Sequence, residues 1–255
     1  MSAQLRPLLI ANLKMFWRSL DTVWVAIVSP MLLLGIVGLA RHLQFAFTHS
    51  TGGVAFLSFS ATGFAAFLGA HLNQDGIVGA ASGYRAQGVL KRIAVTPVSA
   101  RTFIAGQVLI RLAVALLQTV VLVGFAIVLG ASIAYTIDLA WILPVAATAL
   151  LTGTGFGFAI AGATRSPEAA NQLNIALFTP VFLLAGVQYP LQGLPGVLPN
   201  VAEYVVPFAA PVQAFREAVA GQLAGDFPRL LALSLAWLTV ALVLAVRSYR
   251  FGEDS

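Results

Sequence analysis

Long apolar runs constrain this chain more than anything else in it. A bilayer core is about 30 Å thick, and a helix needs about 20 apolar residues to cross it. Runs of that kind lie near residues 23–40, 54–72, 103–129, 141–163, 172–187 and 230–246. Hydrophobic residues make up 59% of the chain and charged residues 9%; a soluble domain usually carries about 25% charge to maintain a polar surface. Mean hydropathy is +0.91. The pattern predicts an all-α integral membrane protein with six transmembrane helices, forming a single transmembrane domain over residues 1–255. The third run is long enough to start in the interface and cross with tilt. The first is followed by Arg41 and His42 rather than a small-x-small site, so it is expected to be a retained span rather than a cleaved leader.

The net charge of +5 does not point to nucleic acid, because the cations sit between apolar runs and must first be placed relative to the membrane. With the N-terminus inside, one side holds Arg6, Lys14, Arg18, Arg85, Lys91, Arg92, Arg101, Arg165, Arg247 and Arg250, and the other holds Arg41, Arg216 and Arg229. Lys and Arg accumulate on the cytoplasmic side of membrane proteins. Both termini are therefore predicted to be cytoplasmic, as is the basic stretch "GVLKRIAVTPVSAR" from Gly88 to Arg101. The remaining cation, Arg111, falls within the third run. It either snorkels to the inner interface or lines a substrate path.

Residues 4–20 are not a span. On a helical wheel Leu5, Leu9, Leu13, Phe16, Trp17 and Leu20 share one arc, with Lys14 and Arg18 opposite and Pro7 at the start. That pattern predicts an amphipathic helix lying in the inner interface, the alternative being a frayed leader. In the fourth run, "TGTGFGFAIAG" sets Gly153 and Gly157 at small-xxx-small spacing, which lets helix backbones pack closely. Pro180 is expected to kink the fifth run. Polar residues close the second run (His71, Asn73, Gln74, Asp75) and open the fifth (Asn171, Gln172, Asn174); they read as interfacial anchors or as gate contacts. Residues 190–222 carry Pro190, Pro195, Pro199, Pro207 and Pro211. They are too apolar for an exposed loop and too broken for a span. Irregular backbone at membrane depth must be buried in protein or line a cavity, so short helices near 195–204 and 211–219 are expected to dip into the outer leaflet and return, with Arg216 and Glu217 ending near the outer surface.

Several chemistries have no residues to support them. Cysteine is absent, which removes disulfides and thiolate metal sites. Lys14 and Lys91 each follow Leu, whereas a phosphate-cradling P-loop needs Gly before its Lys. His42, His49 and His71 form no H-E-x-x-H, few carboxylates lie within the runs, and no Ser-His or Ser-Lys pair is evident. The chain offers no catalytic constellation and no cofactor site of its own.

Three features in this order give a resemblance that covers essentially the whole chain: the inner-interface helix, the cytoplasmic stretch "GYRAQGVLKRIAVTPVSARTFIAGQ" after the second run, and the outer hairpin "GVQYPLQGLPGVLPNVAEYVVPFAAPVQAFREAV". Together they resemble the permease subunit of a type-2 ABC exporter, of the six-span kind found in bacterial drug and lipid efflux systems. Two positions depart from that family's pattern. The acidic residue often found before Gly88 is missing, with Tyr84, Arg85 and Gln87 in that area, and Val206 stands where an Asn often precedes Pro207.

The resemblance implies a cytoplasmic coupling helix near 84–96, with Gln87, Gly88, Leu90, Lys91, Arg92, Thr96, Pro97 and Arg101 contacting a separate ATPase subunit that binds the ATP and Mg. Pro97 would stop that helix, since Pro disfavours helix at the preceding residue. On a plainer reading Lys91 and Arg92 only hold the loop inside. The resemblance also implies an outer re-entrant gate built on Gly186, Pro190, Leu194, Pro195, Pro207 and Arg216, and a second permease copy, identical or paralogous. The protein would sit in a bacterial inner membrane and export an amphipathic drug, antibiotic or lipid. A polysaccharide or glycolipid exporter, a carrier that uses no ATP, a membrane enzyme and an assembly scaffold are the competing classes.

Overall fold

The computed structural model describes residues 28–42, 53–88, 100–131 and 139–248. Within them the chain is helical and contains no strand. The helices are α1 (Ser29–His42), α2 (Gly53–Ala86), α3 (Ala100–Val128), α4 (Leu139–Ala163), α5 (Pro167–Leu184), α6 (Leu198–Val205), α7 (Ala209–Ala220) and α8 (Phe227–Ser248), with a 3₁₀ turn at Leu191–Gly193. Among the described residues three stretches are long and apolar enough to cross a membrane: Val108–Val128, Ala140–Ala163 and Phe227–Ser248. The predicted interfacial helix at 4–20 and most of the coupling stretch lie outside the described residues.

Local chemistry sets the helix ends. Ser166 has extended backbone (φ −132°, ψ 157°) and its hydroxyl accepts from the Ala169 amide at 3.1 Å, with Pro167 following and Glu168 in the first turn. Cap, proline and acid all favour a helix start there. α7 stops at Gly221, which is left-handed at φ 69°, and the Gln222 amide donates to the Glu217 carbonyl at 2.8 Å. That six-to-one bond closes a helix whose next residue must take positive φ. Hydroxyls inside the helices are mostly satisfied by their own chain. Thr148, Thr152, Thr154 and Ser234 donate to carbonyls four residues back at 2.7–3.0 Å, so they add little polarity to the helix surface.

α2 and α4 form the central seam. α8 packs on the other side of α4, α3 and α5 flank α2, and α1 lies against α2 and α3. Gly153 and Gly157 of α4 face α2, as their spacing predicts. A Cβ on Gly153 would overlap the Ala70 carbonyl, and one on Gly157 would stand 2.8 Å from the Gln74 carbonyl oxygen. Gly155 faces the other way, 2.8 Å from Ala241 of α8 by the same measure. α2, α4 and α8 thus run parallel, with close backbone approach at small residues. Outward, α1, α3 and α8 present Leu32, Ile36, Leu117, Val120, Leu242 and Val246. These exposed apolar side chains suit lipid contact.

The second span differs from expectation in length. The apolar run ends near Leu72, but α2 continues without a break to Ala86. Its 34 residues extend about 51 Å at 1.5 Å per residue, more than the about 40–45 Å of a whole bilayer. Residues 84–86, assigned from sequence to the start of a separate coupling helix, form the last turn of α2. Hydropathy falls at Asn73–Asp75 because these side chains pair sideways with neighbouring helices; the backbone ladder is unaffected.

Candidate functional site

α2 ends in a turn at Gln87 and Gly88, the latter left-handed at φ 63°, with amide bonds from Gln87 to the Gly83 carbonyl (2.9 Å) and from Gly88 to the Arg85 carbonyl (3.2 Å). A residue without Cβ tolerates that conformation. Gln87 is exposed beside it. Arg101 belongs to the first turn of α3. Leu90, Lys91, Arg92, Thr96 and Pro97 lie outside the described residues. Arg85 donates to the Thr164 carbonyl, so the end of α2 is tied to the carbonyl that follows α4. Counted from sequence only as a topological charge, Arg85 also satisfies a helix C-terminus.

The middle of the bundle holds a buried amide chain. Asn73 donates to the Leu150 carbonyl at 2.7 Å and to the Thr154 hydroxyl. Gln74 donates to Asn174 Oδ1 at 2.7 Å, and Asn174 donates to Asp75 at 3.0 Å. The polar residues flagged at the end of one apolar run and the start of another thus meet and join α2, α4 and α5. Asn171 and Gln172 stay exposed. Interhelical amide bonds in membranes contribute about 0.6 kcal/mol on average. Asn174→Leu is therefore expected to lower stability by about 1 kcal/mol, because it also strands the Gln74 donor; thermal unfolding in detergent checks this.

Arginines enter notches on α2 at two places. Gly76 leaves room for Arg111, whose Cζ would lie 2.7 Å from a Cβ at that position. Gly63 leaves room for Arg216 and for the Val187 carbonyl, both of which a Cβ would overlap. Neither glycine stands out in the sequence, since nothing local marks which helix face a distant arginine will meet.

The Arg216 notch anchors the far end of the bundle. Its Nη2 donates to the Val187 carbonyl at 2.7 Å and to the Phe59 carbonyl at 3.2 Å, and Nε donates to the Phe59 carbonyl at 3.3 Å. The guanidinium carbon stands 3.6 Å from the Phe59 ring centroid, a cation–π distance. From sequence Arg216 was expected near the outer surface. In the fold its side chain turns into the bundle, because α7 buries eight of its residues, from Ala209 to Val219, and packs among α2, α4 and α8. The two short helices expected near 195–204 and 211–219 are present as α6 and α7.

The other residues assigned to this end shape its backbone. Gly186 is left-handed at φ 69° directly after α5 and aims Val187 at Arg216. Pro190 starts the 3₁₀ turn, and the Leu194 amide closes it on the Leu191 carbonyl at 2.9 Å. Pro195 accepts from the Leu198 amide at 3.3 Å, and Pro207 lies in the turn between α6 and α7. Gly186, Pro190 and Arg216 thus converge, while Leu194, Pro195 and Pro207 set the path of the chain. Arg229 pins α6 to α8 through Glu203 at 2.8 Å and the Tyr204 hydroxyl at 3.1 Å. Partial burial, with Asp226 adding to it and Arg229 opposing, raises the Glu217 carboxyl above its usual range. A cavity of about 160 Å³ opens beside Arg216, between α2, the 3₁₀ turn and α7.

Between the two ends runs an aromatic file. Phe67 of α2 meets Phe182 at 5.4 Å, Phe208 at 5.6 Å and Phe178 at 5.9 Å, and His71 lies 4.5 Å from Phe178. The file joins α2, α5 and the start of α7 by apolar and ring contacts. Residues 3–220 match the family model described as ABC-2 type transporter. No curated protein matches the chain.

Proposed function

The chain belongs to the ABC-2 type transporter family, as the membrane permease subunit of a type-2 ABC system, and from that premise we propose that it exports an amphipathic drug, antibiotic or lipid with energy from a separate ATPase. The observation that carries this reading is the family match over residues 3–220, taken with the unbroken helix α2. That helix links Gly88, where the basic stretch begins, to Phe59, where Arg216 is anchored. Phe59 and the end of α2 at Ala86 are about 40 Å apart along one rod. Two permease copies flank the path in a bacterial inner membrane, with both termini in the cytoplasm, and two ATPases bind the ATP and Mg. When these close, they pull on Gly88–Thr96. α2 moves as a unit, Phe59 slides past Arg216, and the 190–222 segment releases substrate outward. The low share of charged residues, 9%, favours amphipathic cargo over a polysaccharide.

Reversing charge at Lys91→Glu and Arg92→Glu is expected to cut copurification of the ATPase about tenfold, the effect of about 1.4 kcal/mol, while the permease remains in the membrane fraction. Transport by reconstituted vesicles should fall with it. Unchanged copurification and ATP-driven transport would overturn the assignment of these cations, and transport without ATP would favour a carrier.

A further inference from the structure

The cavity beside Arg216 has a floor of Phe59, Pro190 and Leu191 and polar walls of Gln192, Gln213, Arg216 and Glu217. Its volume of about 160 Å³ is well under the about 300–1,000 Å³ of pockets that enclose a drug-sized ligand. Its donors are not all used. Arg216 spends Nε and Nη2 on two carbonyls, which leaves Nη1 without a hydrogen bond among the described residues. The Gln213 Nε2 is buried and has no hydrogen-bond partner among the described residues. A buried donor without an acceptor is costly, and a guanidinium beside it makes an anionic acceptor the fitting one. Glu217, one residue on from Arg216, supplies an opposite charge at the same cavity, so a simple anion would meet repulsion there. A ligand carrying both charges a few bonds apart satisfies all three groups.

The depth of the cavity agrees with this chemistry. Trp141, Tyr189 and Tyr204 are partly exposed at the same end of the bundle, and the Trp141 and Phe227 rings meet at 5.4 Å. Trp and Tyr collect at the level of lipid headgroups.

We propose that this cavity binds the zwitterionic headgroup of a phospholipid, with the phosphate on Arg216 and Gln213 and the ammonium on Glu217. Leu191 and Pro190 then flank the glycerol end of the molecule. A bound lipid would brace the contact between α7 and α2. The site stands whether or not an ATPase drives the chain, and the copurification experiment on Lys91 and Arg92 reads that question separately.

The test is native mass spectrometry of the purified full chain from nanodiscs holding equal phosphatidylethanolamine and phosphatidylglycerol. The wild type is expected to retain phosphatidylethanolamine preferentially. Glu217→Gln, at a partly exposed position that does not hold the fold together, should reduce that preference about tenfold, and Gln213→Leu should lower retention of both lipids about tenfold, as loss of one hydrogen bond to a charged group does. Excess glycerophosphoethanolamine, which has no acyl chains, distinguishes the source. If the lipid stays, the ligand is a membrane lipid; if it is displaced, the cavity takes the headgroup from water as well. Equal retention of the two lipids by the wild type, or identical lipid ratios in the wild type and Glu217→Gln, would overturn the proposal.

Discussion

Gly153→Val is expected to destabilise the protein by about 3 kcal/mol, the upper end of overpacking penalties, and to lower its melting temperature in detergent by about 6–12 °C. The cost is high because the obstacle is backbone. A Cβ at residue 153 would overlap the Ala70 carbonyl of α2, and a carbonyl held in a helix ladder cannot rotate away as a side chain does. One turn on, Gly157 packs against Gln74 and Ile77, so the two helices cannot separate at one position without separating at the other. The Asn73 bonds to Leu150 and Thr154 cross the same seam and would lengthen with it. Gly79 of α2 provides the control, since a Cβ there meets nothing within 4 Å. Gly79→Ala should melt at or slightly above the wild-type temperature, as Gly is the poorer residue in a helix interior. A Gly153→Val protein that melts with the wild type would mean that α2 and α4 are not packed at these glycines.

Those two glycines were legible in the sequence because close packing of membrane helices leaves a periodic mark, a small residue every fourth position. The short helices of residues 190–222 were legible for a similar reason, since prolines recur where a chain too apolar for water must keep turning. The partner of each face left no such mark. Hydropathy ended the second span at Leu72, because a sliding average treats Asn73, Gln74 and Asp75 as a boundary. In the folded chain those side chains are interior, and Asn174, one hundred residues from Gln74, receives its bond. The inward turn of Arg216 was hidden for the same physical reason. Its acceptors, the carbonyls of Phe59 and Val187, are backbone atoms and have no residue type to recognise. Gly63, which makes room for them, resembles any other glycine in a helix until its neighbour is known.

The Arg216 notch carries the second large prediction. Arg216→Leu removes two carbonyl contacts and a ring contact, and is expected to cost about 2–4 kcal/mol at about 1.5–3 kcal/mol for each bond to a charged group, summed with less than full additivity. Arg216→Lys should lose about half as much, because an ammonium keeps the charge but lacks the planar fork that reaches both carbonyls at once. Gly63→Ala approaches the same contact from the other side, since its new Cβ occupies the space of the guanidinium and of the Val187 oxygen. The decisive measurement is the double variant. With Arg216 replaced by Leu, Val187 is no longer held against α2 and can retreat from the added methyl group. The losses in Gly63→Ala/Arg216→Leu should therefore fall short of the sum of the single losses by at least about 1 kcal/mol, in the range seen for residues in contact. If the 190–222 segment is released when Phe59 slides past Arg216, each single variant should also hydrolyse ATP with its ATPase while moving less substrate per ATP than the wild type. Strictly additive losses would show that Arg216 and the Gly63 notch act independently, and a wild-type ratio of transport to hydrolysis would remove the notch from the export cycle.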